Sequence, residues 1–314
     1  MSDTLQIFGK TFSNATGIVA TDNTDTERTF IRPTGTMTID ENGTYDVSEY
    51  ASAEVSVSGS GDEPVPEDGK TRIWIHIAEG TPDNRLTFYL RFTASVANNT
   101  TVDWGDGTTE TLGSTTATNY SHTYPSGGDY IITLTVNTGT ISFEGDSTNK
   151  IYGRDAAGTY YLRSRIRRII FGDNVTEIGN YACNYCIALA SVVISDSITK
   201  IGDYAFLHAD CIETITLPDS ITEIGQSAFS TCASLSVVII SDNVTNIKAN
   251  TFAYNTSALE YHFKPTTPPS LASTNVFTSI QSNCIIYVPQ GSLNAYKTAT
   301  NWSSFASKMQ EEPA

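Results

Sequence analysis

A repeat of 23 residues in the second half of the chain constrains the fold more than any other feature. Four copies begin at Asp173, Asp196, Asp219 and Asp242, and a half-unit, IRRIIFG, precedes the first. The copies share three apolar positions, which hold Ile178, Ile201, Ile224 and Ile247, then Cys183, Phe206, Phe229 and Phe252, then Leu189, Ile212 and Leu235. A unit this small cannot bury its apolar side alone. Stacked units are therefore predicted to form a solenoid with one continuous core.

Each copy ends in a short run rich in β-branched residues, such as SVVIS or TITLP. Such a run predicts one strand of a ladder along one face of the solenoid. The pattern I-T-x-I-G-x-x-A-F, followed by L-x-x-I-x-x-P, resembles the BspA-like class of leucine-rich repeat. Residues 150–264 are therefore predicted to be a leucine-rich-repeat solenoid.

Residues 265–314 resemble the C-terminal cap of that family. The string IYVPQGSLNAYKTATNW begins at Ile286, and it predicts a final strand that ends at Pro289 and is followed by a short helix. The resemblance implies that Leu293, Tyr296 and Trp302 close the open end of the solenoid.

Residues 71–145 have the pattern of a different β domain. Alternating strands lead to VDWGDGT, which begins at Val102, and then to SHTYPSGGDYIITLTV. This order resembles the PKD-type immunoglobulin-like β-sandwich. The resemblance implies that Trp104 packs between the sheets, that Asp106-Gly107 forms a hairpin turn, and that Tyr124 and Tyr130 brace the end of the sandwich.

Acidic residues near this turn leave two interpretations open. Asp103, Asp106 and Glu110 could form a calcium site, but the segment lacks the regular ligand spacing of calcium loops. The interpretation as turn and solvent-facing acids is favoured.

The first 57 residues are predicted to form a small β-rich module, followed by a flexible linker, SGSGDEPVPEDGK, at 58–70. Asn42-Gly43 fits a type I′ hairpin turn. The pattern PxGTxxIxxNGTYDVxxYASAxVxV, from Pro33 to Val57, resembles a segment of structural proteins of tailed bacteriophages. Such a small module is marginal alone, so we expect it to complete its core against a partner or a symmetric homo-oligomer. The candidate docking residues are Ile39, Asn42, Gly43, Tyr45, Val47, Tyr50 and Val55.

The chain is acidic, with 34 Asp and Glu against 18 Lys and Arg and a net charge of −16. A field of this sign repels phosphates and anionic lipid, so neither nucleic acid nor a membrane is an expected partner. No stretch approaches about 18 consecutive apolar residues, so no membrane insertion is expected. The N-terminus, MSDTLQIFGKTFSNATG, has no secretory pattern, so ordinary secretion is not expected.

The sequence carries no motif that predicts an enzyme, a cofactor or a metal site. Cys183 and Cys186 form a Cys-x-x-Cys pair that could be half of a zinc or redox site. Both fall on repeat positions that other copies fill with core residues, so the interpretation as core filler is favoured. A carbohydrate-active enzyme with an unrecognised site remains an alternative.

One basic cluster stands out, with Arg163, Arg165, Arg167 and Arg168 in YYLRSRIRRII. Arg163, Arg165 and Arg167 alternate, so they are predicted to point from one face of a strand. The favoured interpretation is a solvated strand face at the exposed start of the solenoid, where charge discourages edge pairing. The alternative is a surface that contacts the acidic middle domain or an anionic polymer.

The leading hypothesis is a bacteriophage virion surface protein, most simply a capsid decoration protein. Its first module would dock on the major capsid protein or another virion protein, and the rest would contact a glycan or protein of the host surface. A tail fibre or baseplate protein is one alternative, and a bacterial cell-surface adhesin is another. The sequence does not distinguish capsid from tail, and it gives neither the ligand nor the copy number.

Overall fold

The computed structural model describes residue 66 and residues 68–78, 86–145 and 165–313, together with the backbone of five short strands between Thr4 and Val57. The chain divides into two compact units, Met1–Pro64 and Val65–Ala314. Within the described residues, no helix is long and apolar enough to cross a membrane.

The strands described in the first unit form two small antiparallel sheets. Strands β1 (Thr4–Ile7) and β2 (Lys10–Ser13) form one hairpin. Strands β3 (Val19–Thr21), β4 (Glu27–Thr29) and β5 (Ser56–Val57) form a three-stranded sheet in that order. The hairpin predicted at Asn42-Gly43 lies outside the described residues. So do the side chains of all the candidate docking residues, which are Ile39, Asn42, Gly43, Tyr45, Val47, Tyr50 and Val55.

The second unit begins with seven strands that lie in two sheets. They are β6 (Thr71–Ile77), β7 (Thr87–Ala94), β8 (Thr100–Asp103), β9 (Thr109–Leu112), β10 (Thr118–Thr123), β11 (Gly128–Val136) and β12 (Ile141–Phe143). In one sheet the order is β6-β11-β8-β9, and in the other it is β10-β7-β12. Every second residue of β6 and β7 is buried, because each strand turns one face to the core.

The motif VDWGDGT forms the turn between β8 and β9. Trp104 is fully buried, and the Tyr124 hydroxyl donates to its carbonyl oxygen at 2.9 Å. Gly105 and Gly107 have φ of 84° and 91°, a backbone conformation that favours glycine. The predicted core position of Trp104 is therefore observed.

The repeats form two parallel ladders. One ladder consists of β14 (Val175–Ile178), β16 (Lys200–Ile201), β18 (Glu223–Ile224), β20 (Asn246–Ile247) and β22 (Ser270–Leu271). The other follows the ends of the repeats, through β13 (Ile166–Phe171), β15 (Ser191–Ile194), β17 (Thr214–Thr216), β19 (Val237–Ile240), β21 (Glu260–Phe263), β23 (Ile285–Val288) and β24 (Met309–Glu311). Strand pairing in this second ladder is interrupted between β15 and β17.

Equivalent core residues of successive repeats stack on one another. Phe206 lies 5.1 Å from Phe229, Phe229 lies 5.9 Å from Phe252, and Phe252 lies 5.8 Å from Phe277, measured between nearly parallel rings. The repeat thus builds one aromatic column along the axis, as the stacked-unit argument requires.

The cysteines of the repeats lie in this core. Cys183 and Cys186 are buried and carry free thiols, as predicted for core residues. Burial also raises the pKa of the Cys232 thiol to about 12. Asn255 occupies the position equivalent to Cys186, and its amide accepts from the Cys232 N–H and donates to the Phe229 carbonyl, both at 2.9 Å.

The repeats were predicted to end at residue 264, but both ladders continue beyond it. β22 pairs with β20 and β23 pairs with β21, both in parallel. The end is then closed by helix α1 (Leu293–Thr298), a 3-10 helix (Trp302–Lys308) and β24. Tyr296 and Trp302 are buried, and their polar atoms donate to the Pro265 and Pro269 carbonyls at 2.7 Å each.

Both ladders are joined to the sheets of residues 71–143. β13 pairs antiparallel with β6, and β14 pairs in parallel with β12. The regions 71–145 and 150–264, which were predicted as separate domains, therefore share two sheets within one compact unit. The start of the solenoid is covered by strand pairing and is not an exposed edge.

The prediction of a solvated face formed by Arg163, Arg165 and Arg167 is wrong for Arg165, whereas Arg167 is partly exposed. Arg165 is 6% exposed and Arg168 is 1% exposed. The pairing of β13 with β6 shifts register between Ile166 and Arg168, so Arg167 is an extra residue at a β-bulge. The bulge interrupts the period-two alternation from which one common face was inferred. Arg163 lies outside the described residues.

The buried arginines make contacts within the junction. The Arg168 guanidinium lies 4.9 Å from the centre of the Trp74 ring, a cation–π geometry between directly paired residues of β13 and β6. Arg165 donates to the Thr87 carbonyl oxygen at 3.3 Å, and burial lowers its pKa.

We predict that Gly172→Ala weakens the second unit strongly. A Cβ at Gly172 would lie 2.2 Å from the Gly69 carbonyl oxygen and 2.5 Å from the Lys70 carbonyl carbon. Backbone atoms cannot rotate away, so we expect a loss of about 2–3 kcal/mol in the free energy of unfolding, measured by urea denaturation. Thr176→Ala, at an exposed position nearby, is the control. Equal stabilities of the two variants would contradict the close packing of this junction.

Candidate functional site

Two positions in each repeat have a left-handed backbone, with φ between 52° and 63°. The first position forms the column Tyr181, Tyr204, Ser227 and Asn250, and the second forms the column Tyr185, His208, Thr231 and Tyr254. We call these the first and second turn columns. They lie in the segment between the two strands of each repeat, and their members are spaced by 23 residues.

The left-handed conformation directs backbone N–H groups to the next repeat. Tyr204 donates to the Gln226 carbonyl at 2.8 Å, His208 to the Ser230 carbonyl at 3.1 Å, and Tyr254 to the Thr278 carbonyl at 2.6 Å. These bonds between coils offset a conformation that costs an L-residue about 1–2 kcal/mol. Asn is the residue best suited to it after glycine, yet only Asn250 among the eight is of that type. The aromatic residues are therefore not explained by the backbone.

Aromatic rings stack along both columns in the first two repeats. Tyr181 and Tyr204 are 4.9 Å apart with an interplanar angle of 10°, and Tyr185 and His208 are 4.4 Å apart at 22°. Burial raises the pKa of Tyr181, with smaller contributions from Tyr204 and Asp203. The result is a paired row of rings beside the core.

One polar contact holds a ring of the second repeat. The Gln226 amide donates to the Tyr204 hydroxyl at 2.9 Å. The Nδ1 atom of His208 lies 3.6 Å from the Asp210 carboxylate, which is too far for a hydrogen bond. Side chains of the repeats therefore restrain Tyr204, and stacking on Tyr185 restrains His208.

The third repeat interrupts both columns. Small hydroxyl residues, Ser227 and Thr231, replace the rings there. In the fourth repeat, Asn250 continues the first column and Tyr254 continues the second. Tyr254 is 52% exposed. A surface that combines stacked rings with hydroxyl groups can bind a ligand that has both apolar and hydrogen-bonding faces.

The neighbouring outer face carries threonines and paired charges. Exposed threonines recur at Thr176, Thr199, Thr222 and Thr245. The Lys248 ammonium lies 3.0 Å from Glu223 and 3.4 Å from Asp203, and the hydrogen bond to Glu223 is the main cause of its raised pKa. The positive charge of Lys248 is thus balanced by carboxylates of neighbouring repeats.

The acids of the VDWGDGT turn take part in hydrogen bonds of the fold. Asp103 accepts from the Gly105 N–H at 2.9 Å, Asp106 accepts from His122 at 2.7 Å, and Glu110 accepts from the Trp104 indole at 3.0 Å. Within the described residues, no group of three or more His, Cys, Asp or Glu side chains is placed to hold a metal ion. These contacts favour the structural interpretation of the acids over a calcium site.

Hydrogen bonding also sets the charge state of Asp106. Burial alone would raise its pKa, but hydrogen bonds from Thr108 and His122 outweigh that effect and lower it. Its carboxylate is therefore ionised at neutral pH and pairs with His122, whose ring is stacked 4.9 Å from Trp104.

The turn columns were not predicted from the sequence. The predicted repeat positions were the apolar core positions, and the stacked rings lie at other positions. Aligning the copies at Tyr181, Tyr204, Ser227 and Asn250 would have revealed a 23-residue spacing of aromatic and polar residues. It would not have revealed the left-handed backbone, which none of these residue types requires.

Comparison with known proteins identifies the repeats. The family model described as BspA type leucine rich repeat region matches residues 157–289, in six copies. Residues 157–289 are BspA-type leucine-rich repeats. The two copies beyond the four predicted agree with strand β13 before Asp173 and strands β22 and β23 after residue 264.

Other comparisons are less informative. A solved leucine-rich repeat protein from Bacteroides ovatus is 18% identical, with a TM-score of 0.29. The similarity covers 41% of this chain and 34% of that protein, so the chain spans about a third of its length. The search of curated proteins found no match.

We predict that Thr231→Asn stabilises the second unit. A β-branched residue at φ 58° is strained, whereas Asn tolerates the left-handed region, so we expect a gain of up to about 1 kcal/mol in the free energy of unfolding. Chemical denaturation of Thr231→Asn and of Thr222→Asn, which changes an exposed threonine of the same repeat, measures the difference. Strain at Thr231 is contradicted if the Thr231→Asn variant is less stable than the Thr222→Asn variant.

Proposed function

We propose that the protein is a surface-display and adhesion protein of a bacteriophage particle, most simply a capsid decoration protein. The N-terminal unit attaches it to the particle, and the second unit presents the repeats to the host. The observation that carries this proposal is the division of the chain into compact units Met1–Pro64 and Val65–Ala314. The segment that resembles phage structural proteins lies wholly in the first unit and the BspA-type repeats wholly in the second.

Attachment is proposed to occur through residues Ile39 to Val57 of the first unit. The partner is the major capsid protein or another virion protein, and the protein acts as a symmetric homo-oligomer. Many copies on one particle would then convert weak contacts of the repeats into firm adhesion by avidity. Within this class, a tail fibre or baseplate is the alternative location.

Residues 71–143 are proposed to be a PKD-type immunoglobulin-like module that serves as a rigid support. Two antiparallel sheets, the buried Trp104 and the Tyr124 hydroxyl bonded to the Trp104 carbonyl support this assignment. Since β6 and β12 continue into the ladders of the repeats, the module holds the solenoid in one orientation. Its role is therefore mechanical, and the contact surface belongs to the repeats.

The second candidate function is that of a bacterial cell-surface adhesin. The six BspA-type copies favour it, because repeats of this type are typically related to surface adhesion in bacteria. In both candidates the repeats bind a host or neighbouring surface without chemical change, so binding and not catalysis is proposed. The two differ in what the first unit attaches to.

Cosedimentation with particles tests the proposal. We expect the full chain and a fragment of residues 1–64 to sediment with capsids that lack this protein, and a fragment of residues 65–314 to remain in solution. Isolated tails, tested in parallel, separate capsid from tail attachment.

Two outcomes would contradict the proposal. If residues 65–314 sediment with particles and residues 1–64 do not, docking through the first unit is wrong. If the chain fractionates with producing cells in the absence of phage and binds neither capsids nor tails, the adhesin is the correct alternative.

A further inference from the structure

The interruption of the turn columns creates a notch at the third repeat. Ser227 and Thr231 form its floor, because they stand where the neighbouring repeats carry larger side chains. Ser227 is 8% exposed and Thr231 is half-buried, so the floor is recessed below the rings. The walls are Tyr204 and His208 on one side and Asn250 and Tyr254 on the other.

The pitch of the repeats sets the width of the notch. Stacked rings of adjacent repeats are 4.4–4.9 Å apart in the two columns. His208 and Tyr254 belong to the same column and are two repeats apart, so their positions are separated by about 9.5 Å. A ring placed midway would lie about 4.8 Å from each wall, which matches the 4.4–4.9 Å spacing of the rings that stack in these columns, so the gap has room for one six-membered ring.

The floor and the walls match the two kinds of surface on a sugar. A pyranose ring has apolar C–H faces, which pack on aromatic rings, and hydroxyl groups around its edge, which need hydrogen-bond partners. The Thr231 hydroxyl at the floor lies 3.3 Å from that of Ser230, which is buried and donates to the Ala253 carbonyl at 3.0 Å, so Thr231 supplies the hydroxyl that a ligand can reach. Asn250 adds an amide at the rim of the other column.

The walls on the side of the second repeat are held by contacts within the repeats. The Gln226 amide donates to the Tyr204 hydroxyl at 2.9 Å, and the His208 ring stacks 4.4 Å from Tyr185. These contacts reduce the entropy cost of ordering the two rings when a ligand binds.

The charge around the notch favours binding of uncharged saccharides over anionic ones. The whole chain carries a net charge of −16, and Asp210 lies beside the wall residue His208. The nearby Lys248 is already paired with Glu223 and Asp203. An anionic polymer would be repelled here, whereas an uncharged one would not.

We propose that this notch binds one pyranose residue of an uncharged polysaccharide, held between His208 and Tyr254. The proposal rests on the adhesive function proposed above and names its ligand class and its site. The rings of the first two repeats, Tyr181 and Tyr185 included, extend the same surface along the axis and contact neighbouring sugar units of the chain.

The decisive variant is Thr231→Tyr in the full chain. It places a ring where the same column already carries Tyr185, His208 and Tyr254 with the same backbone conformation. The fold therefore accepts the substitution, while the notch is filled. Thr222→Tyr is the matched control, because it adds the same ring at an exposed position of the same repeat.

Isothermal titration calorimetry measures binding of maltohexaose, cellohexaose, mannohexaose and xylohexaose, with a hyaluronan hexasaccharide as the anionic probe. We expect the unmodified chain to bind at least one neutral probe and not hyaluronan. Thr231→Tyr raises the Kd for that probe about tenfold or more, Tyr254→Ala has a similar effect through loss of a wall, and Thr222→Tyr leaves it within about twofold.

The proposal is overturned if no neutral probe binds, if hyaluronan binds as tightly, or if Thr231→Tyr binds like the unmodified chain. Cosedimentation of the same variants with host cells separates this outcome from failure of the proposed function. If cells are bound equally by the unmodified chain and Thr231→Tyr, adhesion stands and the notch is wrong. If the notch binds sugar but the unmodified chain binds no cells, the adhesive function is wrong.

Discussion

The pairing of β13 with β6 is the interaction on which the rest of the second unit depends. A parallel solenoid has an unpaired strand at each end, and such edges expose backbone N–H and C=O groups that invite aggregation. Here β6 covers one ladder and β12 covers the other. At the opposite end, β24 and the residues around Trp302 complete the closure. The repeats are thus capped at both ends from within the same chain.

The junction is held by backbone contacts that leave little room for alternatives. Asp173 donates its N–H to the Gly69 carbonyl at 2.9 Å, and the Gly172 N–H donates to the Thr71 hydroxyl at 2.9 Å. The Arg168 guanidinium covers Trp74 across the paired strands. Because both sheets pass through the junction, the repeats keep a fixed direction relative to the strands of residues 71–143.

The sequence was sufficient for the parts of the fold that repeat. A 23-residue period and its apolar positions predicted the stacked core around Phe206 and Phe229, and the burial of Cys183 followed from the same alignment. The cap residues Tyr296 and Trp302 were also predicted, through the family resemblance. These features are local or periodic, so they leave a signal in a single sequence.

The junction and the candidate site could not be predicted in the same way. β6 and β13 are about 90 residues apart in the chain, and no local pattern reports which strands pair at that distance. Arg165 is buried although it was assigned to a solvated face, because β13 pairs with β6 and the bulge at Arg167 interrupts the alternation. The left-handed turn positions hold mostly Tyr, Ser and Thr, with one Asn and one His, and a column of such mixed residue types does not predict that backbone. The notch is visible only once the columns are aligned in space.

Native-state hydrogen exchange of the full chain, followed by mass spectrometry over a series of denaturant concentrations, tests the shared sheets most directly. We expect peptides covering β6, β13 and β15 to lose protection together, in one cooperative step, because these strands are hydrogen-bonded in one sheet. The shared sheets would be contradicted if the peptides of residues 71–143 lost protection at low denaturant while those of the repeats stayed protected.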